Sequence, residues 1–308
     1  MLYSELAMTP KEIITAAARS LRLDRTGVCS TSFPPLLKEQ LMKTGPVPFA
    51  PADPEERLHP EKLLPGCRSF FVILFPYRTE DETPGNISLY ARSRDYHRII
   101  RSYLERIIEK IRPLWPDEKF LPLADTSPMA DRFLAYSAGL GFYGVNHLLI
   151  NPKYGSYCTI GAILTTLDLP ADTPLKQSCL RCGACIRCCP GRAIRENQYL
   201  PLRCKSYLTQ KKEDLTEDEE KIISGTPLIF GCDACQTCCP HNRHAAFSPL
   251  PEMKEARISS LSDELLTALS NRGFDKQFKE YAFQWRGKKV LLRNLQILRS
   301  RQDPDSRR

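Results

Sequence analysis

Ten of the thirteen cysteines in this 308-residue chain fall between Cys179 and Cys239. Such crowding means that this stretch is organised around something the thiols hold. Cys179, Cys182, Cys185 and Cys189 are spaced C-x2-C-x2-C-x3-C and followed by Pro190. Cys204 stands alone, and Cys232, Cys235 and Cys239 then read C-x2-C-x3-C before Pro240. In two-cluster iron-sulfur segments the fourth cysteine of such a run ligates the other cluster. Crossing the fourth ligands predicts one 4Fe-4S cluster on Cys179, Cys182, Cys185 and Cys239, and a second on Cys189, Cys204, Cys232 and Cys235. Soft, anionic sulfur suits iron in both redox states. A pair of tetrahedral zinc sites is the alternative, since C-x2-C pairs also suit zinc. Cys188 and Cys238 are left over, each beside an expected ligand. Cys29, Cys67 and Cys158 are isolated and read as small buried apolar residues.

Outside that stretch the chain has room for a core of its own. Its length suggests two domains with a small third element, and 42% hydrophobic with 26% charged residues is an ordinary globular balance. No apolar run approaches the ~18 residues of a membrane span, and the first residues lack a basic-then-apolar secretory pattern, so a cytoplasmic protein is expected. A net charge of +8 suits a polyanionic partner but equally a solvated basic surface. A short amphipathic helix is expected over residues 11–21 and a buried strand over Ser69–Pro76. From His97 to Ile111, apolar residues recur at three and four spacing, which predicts a core-facing helix. Tyr157–Thr166 reads as a second buried strand, after which LDLPADTP ends the first domain. The insert QKKEDLTEDEEK should be a solvent-exposed helix or loop. Two helical patterns follow, and the final RSRQDPDSRR should fray.

The segment from Ala124 to Thr166 is the other dense stretch. Gly139, Gly141 and Gly144 spell G-x-G-x-x-G, but a helical DRFLAYSA precedes them and no acidic residue follows at the right distance, which excludes a dinucleotide fingerprint. The glycines would permit close approach to a bulky flat ligand or a neighbouring element, or simply form tight turns. Asp125, before Thr-Ser-Pro, has two readings. It is a helix N-cap with Pro128 near the first turn, or a proton donor whose pKa is raised by burial against a large apolar cofactor.

The ordered set DTSPMADR, GLGFYGVN, YGSY, the cysteine run, RCKSYLTQ, FGCDACQTCCP, WRGKK and LLRN resembles epoxyqueuosine reductases over about Glu56 to Asn294. The resemblance implies an α+β protein. Its parts would be an N-terminal α/β cobalamin-binding catalytic domain (1–170), a bacterial ferredoxin-like domain with two 4Fe-4S clusters (171–245) and a short C-terminal helical segment (246–308). It implies a cobalamin- and iron-sulfur-dependent oxidoreductase that removes the epoxide oxygen of epoxyqueuosine in tRNA, near the anticodon, to give queuosine. Electrons would come from a donor such as a flavodoxin or ferredoxin. The family's proton-donating aspartate falls on Asp125, and its cofactor contacts on Arg57, Asp125, Gly141, Asn146 and Ser156. The family's DYH segment falls on Asp95, Tyr96 and His97. No axial histidine is expected, because Ile100 stands where a D-x-H-x-x-G motif has glycine, so His97 reads as a helix-start residue hydrogen-bonded within the fold.

Two departures stand out: Val145 replaces the family's Lys before Asn146, and Ala162 replaces its Glu after Gly161. The chain also ends where the family continues into helical repeats. From Arg286 onward it carries eight Arg and Lys against two Asp, a basic stretch suited to phosphates. A related corrinoid reductase of a small molecule, or a non-catalytic two-cluster electron carrier, are the competing readings.

Overall fold

A computed structural model describes residues 8–44, 47–51, 53–81 and 83–302. Of the basic stretch, Arg307 and Arg308 and the side chain of Arg301 lie outside what is described, as does most of the tail expected to fray.

The chain opens with α1 (Pro10–Ser20), whose N-cap Thr9 and Glu12 form a capping box. β1 (Thr26–Ser30) and α2 (Pro35–Thr44) follow, then β2 (Ser69–Pro76) over the expected residues. All eight residues of β2 are buried, and the period-two rule explains how. Phe71, Ile73 and Phe75 point to one apolar layer, while Phe70, Val72 and Leu74 point to another. A strand covered on both faces reads as a continuous apolar run, which is why SFFVILFP shows no alternation.

The next helix, α3 (Tyr96–Ile111), is capped by Asp95, which accepts a hydrogen bond from the His97 amide. It buries Ile99, Ile100, Tyr103, Leu104, Ile107, Ile108 and Ile111, the stripe expected from spacing. At ~1.5–3 kcal/mol per buried large apolar side chain, this face is a main source of the domain's stability. β3 (Phe120–Ala124), α4 (Asp131–Ser137), the short pair β4 (Phe142–Tyr143) and β5 (Leu149–Ile150), and β6 (Cys158–Thr165) complete the sheet region. The four long strands lie in the order β1-β2-β6-β3, every pair antiparallel. The N-terminal domain thus mixes helices and sheet as expected, with an antiparallel sheet that rules out a parallel nucleotide-binding crevice. Gly161 in β6 lets α3 settle on the sheet, since a β-carbon there would stand 2.6 Å from Ile100 Cγ2.

The cysteine segment contains α5 (Ala184–Cys188), α6 (Lys205–Leu208), α7 (Glu217–Ile223) and α8 (Ala234–Thr237). The charged insert forms α7, started by a Thr216–Glu219 capping box and seated by buried Ile222 and Ile223. α9 (Asp263–Ala268), α10 (Asn271–Phe278) and α11 (Lys288–Gln302) close the chain. They share a core with Ile87 and Ala91 of the first domain and with Ile229 and Phe230 of the cysteine segment. Ile297 also packs with Ile222 and Ile223. Buried Asn294 donates to the carbonyls of Thr209 at 2.8 Å and Ile229 at 2.9 Å. The last segment is therefore part of the frame that holds the cysteine loops.

Candidate redox centre and its acid cluster

Two short helices, α5 and α8, position the thiols. Gly183, at φ +71°, turns the chain into α5, and a proline follows the last cysteine of each run. Cys179, Cys182, Cys185 and Cys239 line one cavity with about 320 Å3 of atom-free space, together with Val145 and Asn146. Cys185 lies within reach of the charges of Cys179 and Cys239, and Cys239 within reach of Cys179 and Cys182. The second group is equally distinct: burial drives the Cys235 thiol well up, and the neighbouring charges of Cys232, Cys204 and Cys189 drive it further. Four thiols in each set supply one thiolate for each corner iron of a 4Fe-4S cube. Cys189 Sγ accepts from the Ala193 amide at 3.3 Å, and Cys179 Sγ from that of Arg181 at 3.5 Å, bonds of the kind that tune such clusters. Cys188 and Cys238, the two left over, hydrogen-bond to each other. Cys29 is buried in the sheet core, as an isolated cysteine is expected to be.

Three buried polar side chains latch this segment to the sheet. Gln236 Nε2 donates to Tyr77 Oη and to the Ser156 carbonyl, both at 2.8 Å. Asn242 Nδ2 donates to Ser156 Oγ at 2.8 Å, and its Oδ1 accepts from the Ser156 amide at 2.8 Å. Asp233 accepts from Ser88 Oγ at 2.5 Å and from the Leu89 amide at 2.9 Å. Gly155, at φ +58°, is required here, because a β-carbon would collide with Asn242 Oδ1.

The acid cluster forms at the start of α3. Asp125 is not a helix cap: α4 begins at Asp131 with Ala130 before it, and Asp125 sits at φ +41°. Its Oδ2 accepts a hydrogen bond from Tyr96 Oη and lies 3.3 Å from His97 Nε2. His97 Nδ1 in turn lies 2.7 Å from Asp95 Oδ1. Burial alone would raise the Asp125 pKa, but the bonds from His97 and Tyr96 outweigh it and hold the carboxyl below its usual range. Burial likewise opposes charge on His97, yet Asp125 and Asp95 lift it to about 9. The proton expected on Asp125 thus rests on its partner. Asp131, which sequence reasoning passed over, is the carboxyl that burial and the charge of Asp125 push up to about 8. Arg57 donates to the Pro128 carbonyl at 3.3 Å and shares this neighbourhood with Asp131, Arg132 and Tyr143. Ser127 Oγ, in the same loop, is buried without a partner.

The other residues carried over from the family, Ser156, Asn146 and Gly141, also have close partners within the fold. Ser156 and Asn146 are buried, the first in the latch above and the second donating to the Cys235 carbonyl at 3.4 Å. A β-carbon on Gly141 would lie 2.7 Å from the Ile150 carbonyl, so this glycine serves the β4–β5 pairing. Val145 borders the first thiol cavity, and Ala162 is buried opposite Val72, where a lone carboxylate would need a partner. Tyr90 lies beside both Asp125 and Cys204, and Tyr199 beside Cys204, Cys235 and Arg132. Through Tyr90 the second thiol set and the acid cluster share a neighbour. The first faces outward, with Cys182 exposed and Leu180 65% exposed.

The His97 geometry has a pH consequence. Its folded pKa, about 9, lies above its free value of 6.5, so its contribution to stability is complete below pH ~6.5 and vanishes as pH rises through ~9. The gap in unfolding temperature between the wild type and His97→Gln should be widest near pH 6 and close by pH 10. A gap independent of pH would show that the histidine is not charged in the fold.

Fold and site together define an oxidoreductase built around two iron-sulfur clusters. Residues 178–242 match the family model described as a 4Fe-4S double cluster binding domain, and residues 57–126 match the model described as Epoxyqueuosine reductase QueG, DUF1730. The epoxyqueuosine reductase of Bacillus cereus is 32% identical over 300 residues, covering 92% of this chain and 78% of the relative. That of Listeria monocytogenes is 31% identical, covering 94% and 80%. The crystal structure of an epoxyqueuosine reductase with an epoxyqueuosine-modified tRNA-Tyr stem loop superposes at TM-score 0.84 with 30% identity, over 94% of this chain and 80% of that one. The chain belongs to the epoxyqueuosine reductase family.

Proposed function

We propose that the chain reduces the epoxide of epoxyqueuosine in tRNA to the alkene of queuosine, with two electrons and two protons leaving as part of one water. The observation that carries this reading is a Tyr96–Asp125–His97 cluster in a member of this family whose cysteine segment brings Cys179, Cys182, Cys185 and Cys239 to one cavity. Cys179, Cys182, Cys185 and Cys239 hold the outer 4Fe-4S cluster; Cys189, Cys204, Cys232 and Cys235 hold the inner one. A flavodoxin or ferredoxin delivers electrons at the exposed outer set. Cobalamin, when bound, supplies the reducing centre at the substrate carbon. The residues around Asp125 suit such a large group with a polar rim: Ser127 Oγ is a buried hydroxyl without a partner, and Arg57, with Arg132 and Tyr143 near it, bonds to the neighbouring Pro128 carbonyl. Asp125 relays to the departing epoxide oxygen the proton that His97 holds, and Asp131 keeps a second proton nearby.

Residues 1–170 form the cofactor and substrate domain, 171–245 the cluster domain and 246–308 the helical segment that braces it. Arg and Lys of the last segment grip tRNA phosphates, so binding should weaken steeply with salt. A tRNA substrate places the protein in the cytoplasm. The deciding experiment incubates the reduced, cobalamin-loaded protein with an epoxyqueuosine-bearing tRNA stem loop and weighs the released nucleoside. Loss of one oxygen atom is expected. An unchanged nucleoside from protein with full cofactor content would refute the substrate and favour a small-molecule reductase.

A further inference from the structure

Lys205 directly follows Cys204 and is only 1% exposed, among the most completely buried large side chains of the molecule. Its ammonium donates to the Thr226 carbonyl at 2.7 Å and to Thr226 Oγ1 at 2.5 Å. Both partners are neutral, and among the described residues no carboxylate forms an ion pair with it. A lysine charge buried without a counter-charge is strongly unfavourable and is rarely retained. The ionisable group that interacts with it is the thiol of Cys232, a member of the inner set.

We propose that Lys205 is the internal counter-charge of the inner cluster and raises that cluster's reduction potential, so that an electron arriving at the outer cluster passes inward. A fixed positive charge in a dry interior stabilises the added electron far more than solvated charges do. The cations beside the outer set are of the solvated kind: Arg187, which donates to the Cys182 carbonyl at 3.2 Å, and Arg181 are exposed. Net charge and hydrogen bonding at the sulfurs are the levers by which a protein sets cluster potentials. Lys205 supplies the first of these at one cluster and not at the other.

This inference rests on the cysteine assignment above, and one experiment separates the two. The anaerobically reconstituted holoprotein is titrated electrochemically and followed by electron paramagnetic resonance, alongside Lys205→Met, Lys205→Gln and Lys205→Arg. In both neutral variants the iron content should stay at two clusters. One potential should fall by at least tenfold in the reduction equilibrium, about 59 mV for a one-electron couple, while the other holds still. The arginine variant should restore it. Loss of one cluster in both neutral variants, but not in the arginine variant, would equally support the counter-charge role. The glutamine variant keeps a hydrogen-bond donor for Thr226, so it serves as the test should methionine prevent folding. Unchanged potentials with full iron, or loss of a cluster in all three variants, overturn the proposal. Fewer than two clusters in the wild type would instead overturn the cysteine assignment.

Discussion

Asp125→Asn should leave the protein folded and fully loaded with cofactors yet lower turnover by roughly 10^2- to 10^4-fold, the usual contribution of a positioned acid. Asparagine is the informative replacement because it tolerates the left-handed backbone that Asp125 occupies at φ +41°. It can still meet Tyr96 Oη, but it cannot carry the negative charge that keeps a proton on His97. Two groups therefore fail together: the relay to substrate, and the histidine's affinity for the proton to be relayed. Single-turnover assays after full reduction isolate this step from electron delivery. Turnover within about tenfold of the wild type, with both cofactors present, would remove Asp125 from the acid role and shift attention to Asp131.

The second large effect concerns iron. Cys235→Ala and Cys182→Ala should each lose about four of about eight iron atoms, because each cysteine belongs to a different set. Cys188→Ala and Cys238→Ala should lose none, since those thiols bond to each other beside the sets. Iron and acid-labile sulfide analysis of anaerobically purified variants distinguishes these outcomes. Full iron in Cys182→Ala would mean the ligand map is wrong, and a loss in Cys188→Ala would mean that ligand is displaced by one residue. The two losses should differ in their consequences for the fold. Cys235 is half-buried, with Asn146 bonded to its carbonyl, whereas Cys182 is exposed.

What could be read from sequence were the features that depend on local spacing. α3 follows from apolar residues at three and four spacing, and β2 from an uninterrupted apolar run that ends at proline. Asp125 shows where such reading stops. Its carboxyl is defined by Tyr96 and His97, 29 and 28 positions earlier, and no local pattern announces that the DYH segment will meet it. The glycines of the G-x-G-x-x-G string were ambiguous for a similar reason: Gly139 is shaped by Thr173 and Gly141 by Ile150. Ser156 and Asn146 sit in family motifs, and the partners that fix their side chains, Asn242, Gln236 and Cys235, lie about 80 to 90 positions away. Lys205 gave no signal at all, since one lysine in RCKSYLTQ is indistinguishable from a solvated one until its burial is known.

The unequal shelter of the two thiol sets carries a practical corollary. With Cys182 and Leu180 exposed at the rim and all four thiols of the inner set at least half-buried, dioxygen or a chelator should meet one inorganic cube before the other. Air damage would then proceed inward from that rim, severing the supply of reducing equivalents while the helices and sheet around the acid residues keep their shape. A brown but inert preparation would be one half-wired in this way, and repair would require rebuilding only the outermost cube.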